Sequence, residues 1–267
     1  MAVIANEDII VAKGVNHDVG SASQPLPVLR DINLRVADGE IVAIVGPSGC
    51  GKTTFLNLVA GLERLQTGSL LRNGDAPRSN SKDKTGYMFA RDALLPWRTT
   101  LENVSLPLEI ARINKRDREA RAEQALASVG LADRLNSYRS QLSQGMRQRV
   151  ALARTLVTEP RLLLLDEPFG ALDAQTRIAM QELLLEVLDR YRATVLLVTH
   201  DLGEAITLAD RVVLFSRRPA SVTAVYEVRL SRPRQAIALQ SDPEFHLIYE
   251  TIWKALGSEV RAVEGVS

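Results

Sequence analysis

The sequence predicts an α/β fold in which a mostly parallel sheet is covered by helices and a helical subdomain is inserted. Three short apolar stretches read as buried strands, Ile41–Val45, Leu162–Leu165 and Thr194–Val198. Segments with apolar residues at helical spacing follow the first two of them, from Thr53 and from Thr176 to Tyr191. Strands that alternate with helices favour a parallel sheet with helices on both faces.

Between these strands, residues 101–157 are rich in helix formers and contain few β-branched runs, which predicts the inserted helical subdomain. Residues 73–84 carry Gly, Pro, Ser, Asn and Asp and predict a loop. After residue 210 come short alternating stretches and then a helical tail around Phe245 to Leu256. We expect one domain, made of a core (1–88 and 160–220), the helical subdomain (89–159) and a C-terminal extension (221–267).

Composition excludes several classes of function. Charged residues make up 24% of the 267 residues and nearly cancel, leaving a net charge of +1, so no global field attracts nucleic acid. No apolar run approaches the roughly 20 residues that span a bilayer. The N-terminus lacks the basic and apolar regions of a secretory signal, and the single cysteine, Cys50, allows no internal disulfide. We therefore expect a cytoplasmic protein whose membrane contacts run through other proteins.

The motif GPSGCGKT, Gly46 to Thr53, matches the phosphate-loop pattern and lies between a predicted strand and a predicted helix. Glycines allow backbone N–H groups to surround a phosphate, the helix start adds positive potential, and Lys52 reaches the terminal phosphates. Thr53 is a candidate magnesium ligand, and we assign Cys50 no chemistry. The residues expected to bind nucleotide here are Gly46, Pro47, Ser48, Gly49, Cys50, Gly51, Lys52, Thr53 and Thr54.

Two adjacent acids end the second predicted strand in LLLLDEP. Behind a phosphate loop, Asp166 is suited to hold magnesium through water and Glu167 to polarise the attacking water. By itself such a pair is more often a solvated strand terminus or a helix cap.

The motif LSQGMRQR, Leu142 to Arg149, opens a predicted helix with Ser143 as its N-cap. It is a second anion-binding helix start. One chain has little use for two phosphate-binding starts on a single nucleotide, but two chains that face head to tail could each close one of them over the phosphates held by the other. The alternative is a capped surface helix with basic residues for solubility.

The ordered set GPSGCGKT, LSQGMRQR, LLLLDEP, GALD and VTH resembles the nucleotide-binding domain of ABC transporters along nearly the whole chain. The resemblance implies a P-loop NTPase fold, with a RecA-like mostly parallel sheet, an antiparallel β subdomain and the helical insertion. It implies ATP and Mg²⁺ as cofactors, with Ser143 and Gly145 contacting the γ-phosphate across a dimer of two copies. It also implies that Asp173 communicates between the two sites and that His200 senses the γ-phosphate.

Further segments, among them ALLPWRTTLENV, FSRRPASV and SRPR, resemble the ATPases of the nitrate/sulfonate/taurine importer branch. That resemblance implies integral membrane permease subunits as partners, docked near Leu94–Trp97, and an extracytoplasmic solute-binding protein as an indirect partner. It places the protein at the cytoplasmic face of the cell membrane, as a peripheral subunit. The alternative for Trp97 is a packing aromatic behind a proline turn.

Three features of the sequence depart from the family pattern. Ala90 stands where the family has a glutamine, so that a neighbour, Arg91 or Asp92, takes its place or coupling to the membrane subunit is looser. The signature reads LSQGM in place of LSGGQ. Val19 and the nearby His17 stand where the family has an aromatic residue that stacks on adenine, which leaves the preference for ATP over GTP open.

Two rival functions remain open from the sequence. An ABC-type ATPase that acts away from membranes usually has a long coiled-coil insertion or tandem cassettes, and this chain has neither. A phosphate-loop metabolite kinase needs an arginine-bearing lid and an acceptor pocket but has no use for LSQGM or VTH.

Overall fold

The computed structural model of the protein describes residues 8–21, 23–78, 85–191 and 193–261, with side chains up to residue 257. Contacts group these residues into two compact units. The first unit holds the described residues before 84 and after 192, and the second holds residues 85–191. The predicted α/β class is confirmed, whereas the division into core, helical subdomain and extension stays a prediction.

The parallel part of the first unit is built around two fully buried strands, β3 (Ile41–Val45) and β7 (Thr194–Thr199). Strand β3 pairs in parallel with β7 and with β8 (Arg211–Phe215), and β9 (Val222–Glu227) adds antiparallel to β8. Every residue of β3 and β7 is buried, as expected for parallel strands covered on both faces. The predicted strands at 41–45 and 194–198 are confirmed.

An antiparallel sheet completes the strands of the first unit. Its order is β2 (Gln24–Ala37), β1 (Asp8–Ser21) and β4 (Thr67–Arg72). From residue 31 to residue 36 the β2 side chains alternate between exposed and buried, so one face of the strand is solvated there. The sequence pattern did not predict these strands one by one; the family resemblance implied an antiparallel subdomain, and it is present.

Helices of the first unit follow its parallel strands. Helix α1 (Lys52–Ala60) comes directly after β3, and α6 (Leu202–Leu208) comes after β7. Near the end of the chain lie the short α7 (Ala236–Leu239) and the long α8 (Pro243–Arg261). The predicted tail helix is therefore confirmed, and it is longer than expected.

The second unit is mainly helical. Its strands β5 (Thr85–Met88) and β6 (Leu162–Asp166) pair in parallel. Its helices are α2 (Thr100–Ile110), α3 (Lys115–Ser128), α4 (Gln144–Leu156) and α5 (Ala174–Tyr191). The helices expected within 101–157 and from 176 to 191 are confirmed, as is the strand at 162–165. Part of the predicted loop, residues 79–84, lies outside the described residues.

No helix in the described part of the chain combines the length and the apolar character that a membrane crossing requires.

Candidate nucleotide site

Gly46 to Gly51 form a loop between β3 and α1, and Lys52 and Thr53 begin α1, where the sequence predicted the motif. Gly51 has φ 126°, a backbone conformation that L side chains rarely adopt, and a Cβ there would lie 2.7 Å from Val28 Cγ1. Lys52 is 4% exposed. Its Nζ donates to the carbonyl oxygens of Gly46 (2.8 Å) and Pro47 (3.1 Å), which fixes the ammonium inside the loop.

The start of α1 is suited to an anion. Its N-cap is Gly51, which has no side chain to accept from the first-turn N–H groups, and no acidic residue lies in the first turn. An uncapped helix start leaves donors and positive potential for a phosphate. Thr53 is exposed at this start. Cys50 is buried, and burial raises the pKa of its thiol although the Lys52 charge acts in the opposite direction, which agrees with no nucleophilic role.

His200 follows the last residue of β7, and its side chain is exposed. The turn that carries it is held by the buried Thr199, whose Oγ1 donates to Glu204 Oε2 (2.9 Å) and accepts from the Asp201 amide (3.0 Å). A cavity of about 480 Å³ is lined by Val45, Gly46, Pro47, Ser48, His200, Trp253, Leu256 and Gly257. The first unit therefore brings His200 and the beginning of the phosphate loop to one cavity, together with α8.

The acid pair lies at the end of β6 in the second unit. Asp166 is the last residue of the strand and is 7% exposed. Glu167 has φ 45°, an uncommon conformation for a residue other than glycine, which turns the chain sharply away from the strand. Gln148 Nε2 donates to the Pro168 carbonyl (2.7 Å) and so links α4 to this turn. The two carboxylates thus have different settings, one buried in the strand and one on the turn.

Ser143 is the N-cap of α4, as predicted, and its Oγ accepts from the Met146 amide (3.3 Å) while the side chain stays exposed. A Cβ on Gly145 would lie 2.7 Å from Thr176 Cγ2. Asp173 Oδ1 accepts from the Thr176 amide (3.0 Å), and hydrogen bonds from Thr176 lower the pKa of that carboxyl. Thr176 therefore brings the signature glycine and Asp173 together.

Asp92, two residues after Ala90, has a carboxylate that already accepts hydrogen bonds from other residues of the chain. Asp92 accepts from Arg139 Nε (3.0 Å) and from Arg139 Nη2 (3.1 Å), and Oδ1 also accepts from the Leu94 amide (3.1 Å). Asp92 anchors its own loop, which disfavours it as the substitute for the glutamine that Ala90 replaces.

His17 does not offer a free ring for adenine. It is 6% exposed, and its Nε2 lies 3.0 Å from Glu63 Oε2. A buried imidazole paired with a carboxylate is held in the antiparallel sheet. His17 therefore does not present its ring to a base, and Val19, two residues later, is partly exposed.

Sequence reasoning gave no role to several residues that order the site. Arg147 and Gln148 lie inside the motif LSQGMRQR, where only Ser143 and Gly145 received roles. The spacing of α4 could have indicated that Gln148 is buried, because it lies on the same face as Leu152. The partner of Arg139 could not be found this way, since Asp92 lies 47 residues earlier in the chain.

A family model described as ABC transporter matches residues 29–170 of this chain. The chain is 40% identical over 249 residues to the uncharacterized ABC transporter ATP-binding protein YtlC of Bacillus subtilis (strain 168). The alignment covers 91% of this chain and 94% of the relative. It is 53% identical over 208 residues to the aliphatic sulfonates import ATP-binding protein SsuB of Pectobacterium atrosepticum. That alignment covers 78% of this chain and 75% of the relative.

Among solved structures, the chain is similar to the ATP-binding cassette MJ0796, described as the dimeric structure of a post-hydrolysis state bound to ADP and Pi. The TM-score is 0.73 at 30% identity, over 83% of this chain and 100% of that chain.

Proposed function

This chain belongs to the ABC transporter family, and we propose that it powers an importer of a small polar or anionic solute. It is an ABC-type ATPase of the kind that works as a dimer. The observation that carries the proposal is the phosphate loop, with its glycine-capped helix and its buried Lys52, beside His200. Relatives named for aliphatic sulfonate import support an organic sulfonate, and nitrate or taurine belong to the same solute class.

In the proposed site, the ATP phosphates lie on the N–H groups of residues 49–54 and against the Lys52 ammonium. Mg²⁺ prefers oxygen ligands, and the exposed Thr53 hydroxyl and the buried Asp166 carboxylate fit that preference. A bound Mg²⁺ would neutralise charge that develops on the phosphates. Glu167 orients and polarises the attacking water, and His200 contacts the γ-phosphate.

Ser143 and Gly145 are proposed to contact the γ-phosphate held by a second copy of the chain, with Asp173 at the same interface. The support is that Gly145 and Asp173 both lie next to Thr176, and that Ser143, the exposed cap of α4, is two residues from Gly145. ATP then stabilises the dimer, and loss of the γ-phosphate allows it to open.

Leu94–Trp97 are proposed to contact a short cytoplasmic helix of the membrane permease, with the solute-binding protein as an indirect partner. Leu94 is 6% exposed and supports the turn, whereas Trp97 is 70% exposed. A large exposed aromatic beside a buried anchor is typical of a protein interface. The proposed location is accordingly the cytoplasmic face of the membrane, and nucleic acid is not among the proposed partners because the charge is nearly balanced.

The first test is ATP hydrolysis by the purified chain over a range of protein concentrations. We expect the specific activity to rise with concentration, because each site needs the signature of a second copy. The Glu167→Gln variant should bind ATP, hydrolyse it at least about a hundredfold more slowly, and elute as a dimer only with ATP.

A Glu167→Gln protein that stays monomeric in the presence of ATP would contradict the proposed dimer. ATP hydrolysis by this variant at the wild-type rate would show that Glu167 does not polarise the attacking water. The Ala90→Gln variant, assayed beside the wild-type chain, tests the effect of the alanine at this position. A higher rate of ATP hydrolysis by the variant would show that the absence of a glutamine there slows catalysis. ATP-dependent phosphorylation of a small metabolite would favour the kinase alternative.

A further inference from the structure

The loop between β5 and α2, residues 89–99, is bound to the segment that precedes the signature helix. Asp92 receives two parallel hydrogen bonds from the Arg139 guanidinium, and the Asp92 side chain is 10% exposed. Arg154 on α4 donates to the Asp92 and Ala93 carbonyls, both at 2.8 Å. A bidentate arginine pair fixes orientation as well as distance. The beginning of the loop is therefore attached to α4 and to the residues just before it.

The rest of this loop is held by one buried amide. Asn103 is 1% exposed. Its Oδ1 accepts from the Leu95 amide (2.8 Å), and its Nδ2 donates to the carbonyls of Leu95, Arg98 and Thr99 at 2.9 to 3.2 Å. Because a satisfied buried amide leaves the backbone little freedom, the turn that presents Trp97 moves with the start of α2.

The other end of the connection reaches the signature motif. Arg147 Nε donates to the carbonyl oxygens of Arg139 (3.1 Å) and Leu142 (3.0 Å). Leu142 is 4% exposed and directly precedes Ser143. Arg147 therefore links Arg139 to Leu142, so a displacement of Arg139 also displaces the residue before Ser143.

We propose that Asp92 and Arg139 are positioning residues that couple the loop carrying Trp97 to the signature serine, Ser143. Ala90 offers no side-chain amide in this loop, and the Asp92–Arg139 pair provides a polar side-chain link between the loop and the signature. When ATP draws Ser143 toward a second copy, the pair moves the Trp97 loop with it. The inference rests on the proposed function, because it needs the ATP-dependent dimer.

The test uses the full chain and reads the loop through its own tryptophan. The sequence contains two tryptophans, so Trp253→Phe leaves Trp97 as the single reporter. In a Glu167→Gln background, dimer formation is followed by light scattering while Mg²⁺ and ATP are added. Trp97 emission and its quenching by acrylamide are recorded at the same dimer fraction for each variant.

We expect ATP to change the Trp97 emission in the parent protein. Asp92→Asn should reduce that change at least about twofold at equal dimer fraction, because the neutral amide cannot hold the guanidinium fork. Arg139→Gln should do the same, and it serves as the second variant if Asp92→Asn does not fold. Asp133→Asn removes the carboxylate of an exposed Asp133–Arg134 pair in the same unit and should leave the change intact.

A dimer in which Trp97 does not respond to ATP, or responds equally after Asp92→Asn and Arg139→Gln, overturns the coupling and leaves the proposed function standing. Failure of the Glu167→Gln protein with Trp253 intact to dimerise with ATP is a different result. It contradicts the proposed function and removes the basis of the coupling with it.

Discussion

Thr176 is a single residue on which two parts of the candidate site depend. Its backbone amide donates to Asp173, and its Cγ2 methyl occupies the space in front of Gly145. A Cβ on Gly145 would lie only 2.7 Å from that methyl group, so an added methyl requires a shift of the backbone or a change of the Thr176 rotamer. The glycine of the signature is therefore required by packing within the chain, in addition to any contact with a phosphate.

Gly145→Ala is expected to lower ATP hydrolysis at least about tenfold, because the new methyl group displaces the start of α4 from α5. Thr176→Ser removes Cγ2 and retains the hydroxyl and the amide. The double variant Gly145→Ala/Thr176→Ser should therefore recover much of the lost rate. Steady-state ATPase assays of the four proteins measure this, and a double variant no better than Gly145→Ala would show that the glycine is needed for another reason.

The lowered pKa of the Asp92 carboxyl predicts that the stability of the protein depends on pH. Burial raises the pKa of this carboxyl, but hydrogen bonds from Arg139 and the Leu94 amide outweigh that effect and hold the pKa below its ordinary value. A carboxyl with a lowered folded-state pKa stabilises the fold above its unfolded pKa, about 4, and loses that contribution as the pH falls through the folded value.

The thermal midpoint of the wild-type chain should therefore exceed that of Asp92→Asn most at neutral pH, and the difference should shrink below about pH 4. Scanning calorimetry at several pH values measures it. Asp133→Asn is the control and should change the midpoint little. A difference that grows toward acid pH would contradict this assignment.

At the scale of elements, the buried Arg234 connects two segments of the first unit. The Arg234 side chain is 1% exposed, and its guanidinium donates to the carbonyls of five residues. These are Ile206, Thr207, Ala209, Val228 and Leu230. Burial lowers the pKa of Arg234 to about 10, which still leaves it charged at neutral pH. The end of α6 and the segment after β9 are thereby joined.

Arg234→Met is expected to destabilise the protein by about 2–4 kcal/mol, because the buried carbonyls lose their donor. Urea unfolding followed by circular dichroism measures the change. Arg229→Met is the matched control, since Arg229 is 81% exposed and pairs only with Glu227 among the interactions described; it should cost less than about 1 kcal/mol. Equal losses in the two variants would refute the anchoring role.

At the scale of the whole molecule, the chain is nearly neutral, and twelve large apolar side chains are exposed among the residues that the structure describes. Isolated exposed apolar residues are common and need no partner. Trp97 differs from them because its turn is fixed by Asn103 and by the Asp92–Arg139 pair. A turn whose backbone is already ordered loses little conformational entropy on binding, which suits Trp97 to a contact with another subunit.

Trp97→Ala is therefore expected to weaken binding to washed membrane vesicles from the source organism by about 30-fold or more, the cost of a central aromatic at an interface. Basal ATP hydrolysis in solution should persist. Ile110→Ala is the control, because Ile110 is 73% exposed in the same unit and has no proposed contact. Sedimentation of the purified chain with vesicles measures binding, and equal losses for both variants would place the contact elsewhere.

Local physics made much of this protein predictable from the sequence. Buried strands such as Ile41–Val45, the glycine loop before α1 and the serine that caps α4 are each decided by residues within a few positions of one another. The α/β class followed from their alternation, and the family from the order of their motifs.

Only the tertiary structure decided which distant residues meet. The register of β1 against β2 and β4, the pairing of Asp92 with Arg139, and the contact of Thr176 with Gly145 each join parts of the chain that no periodicity relates. Such contacts depend on how whole elements pack, because a hydrogen bond or a methyl group selects its partner by position in space rather than by spacing along the chain.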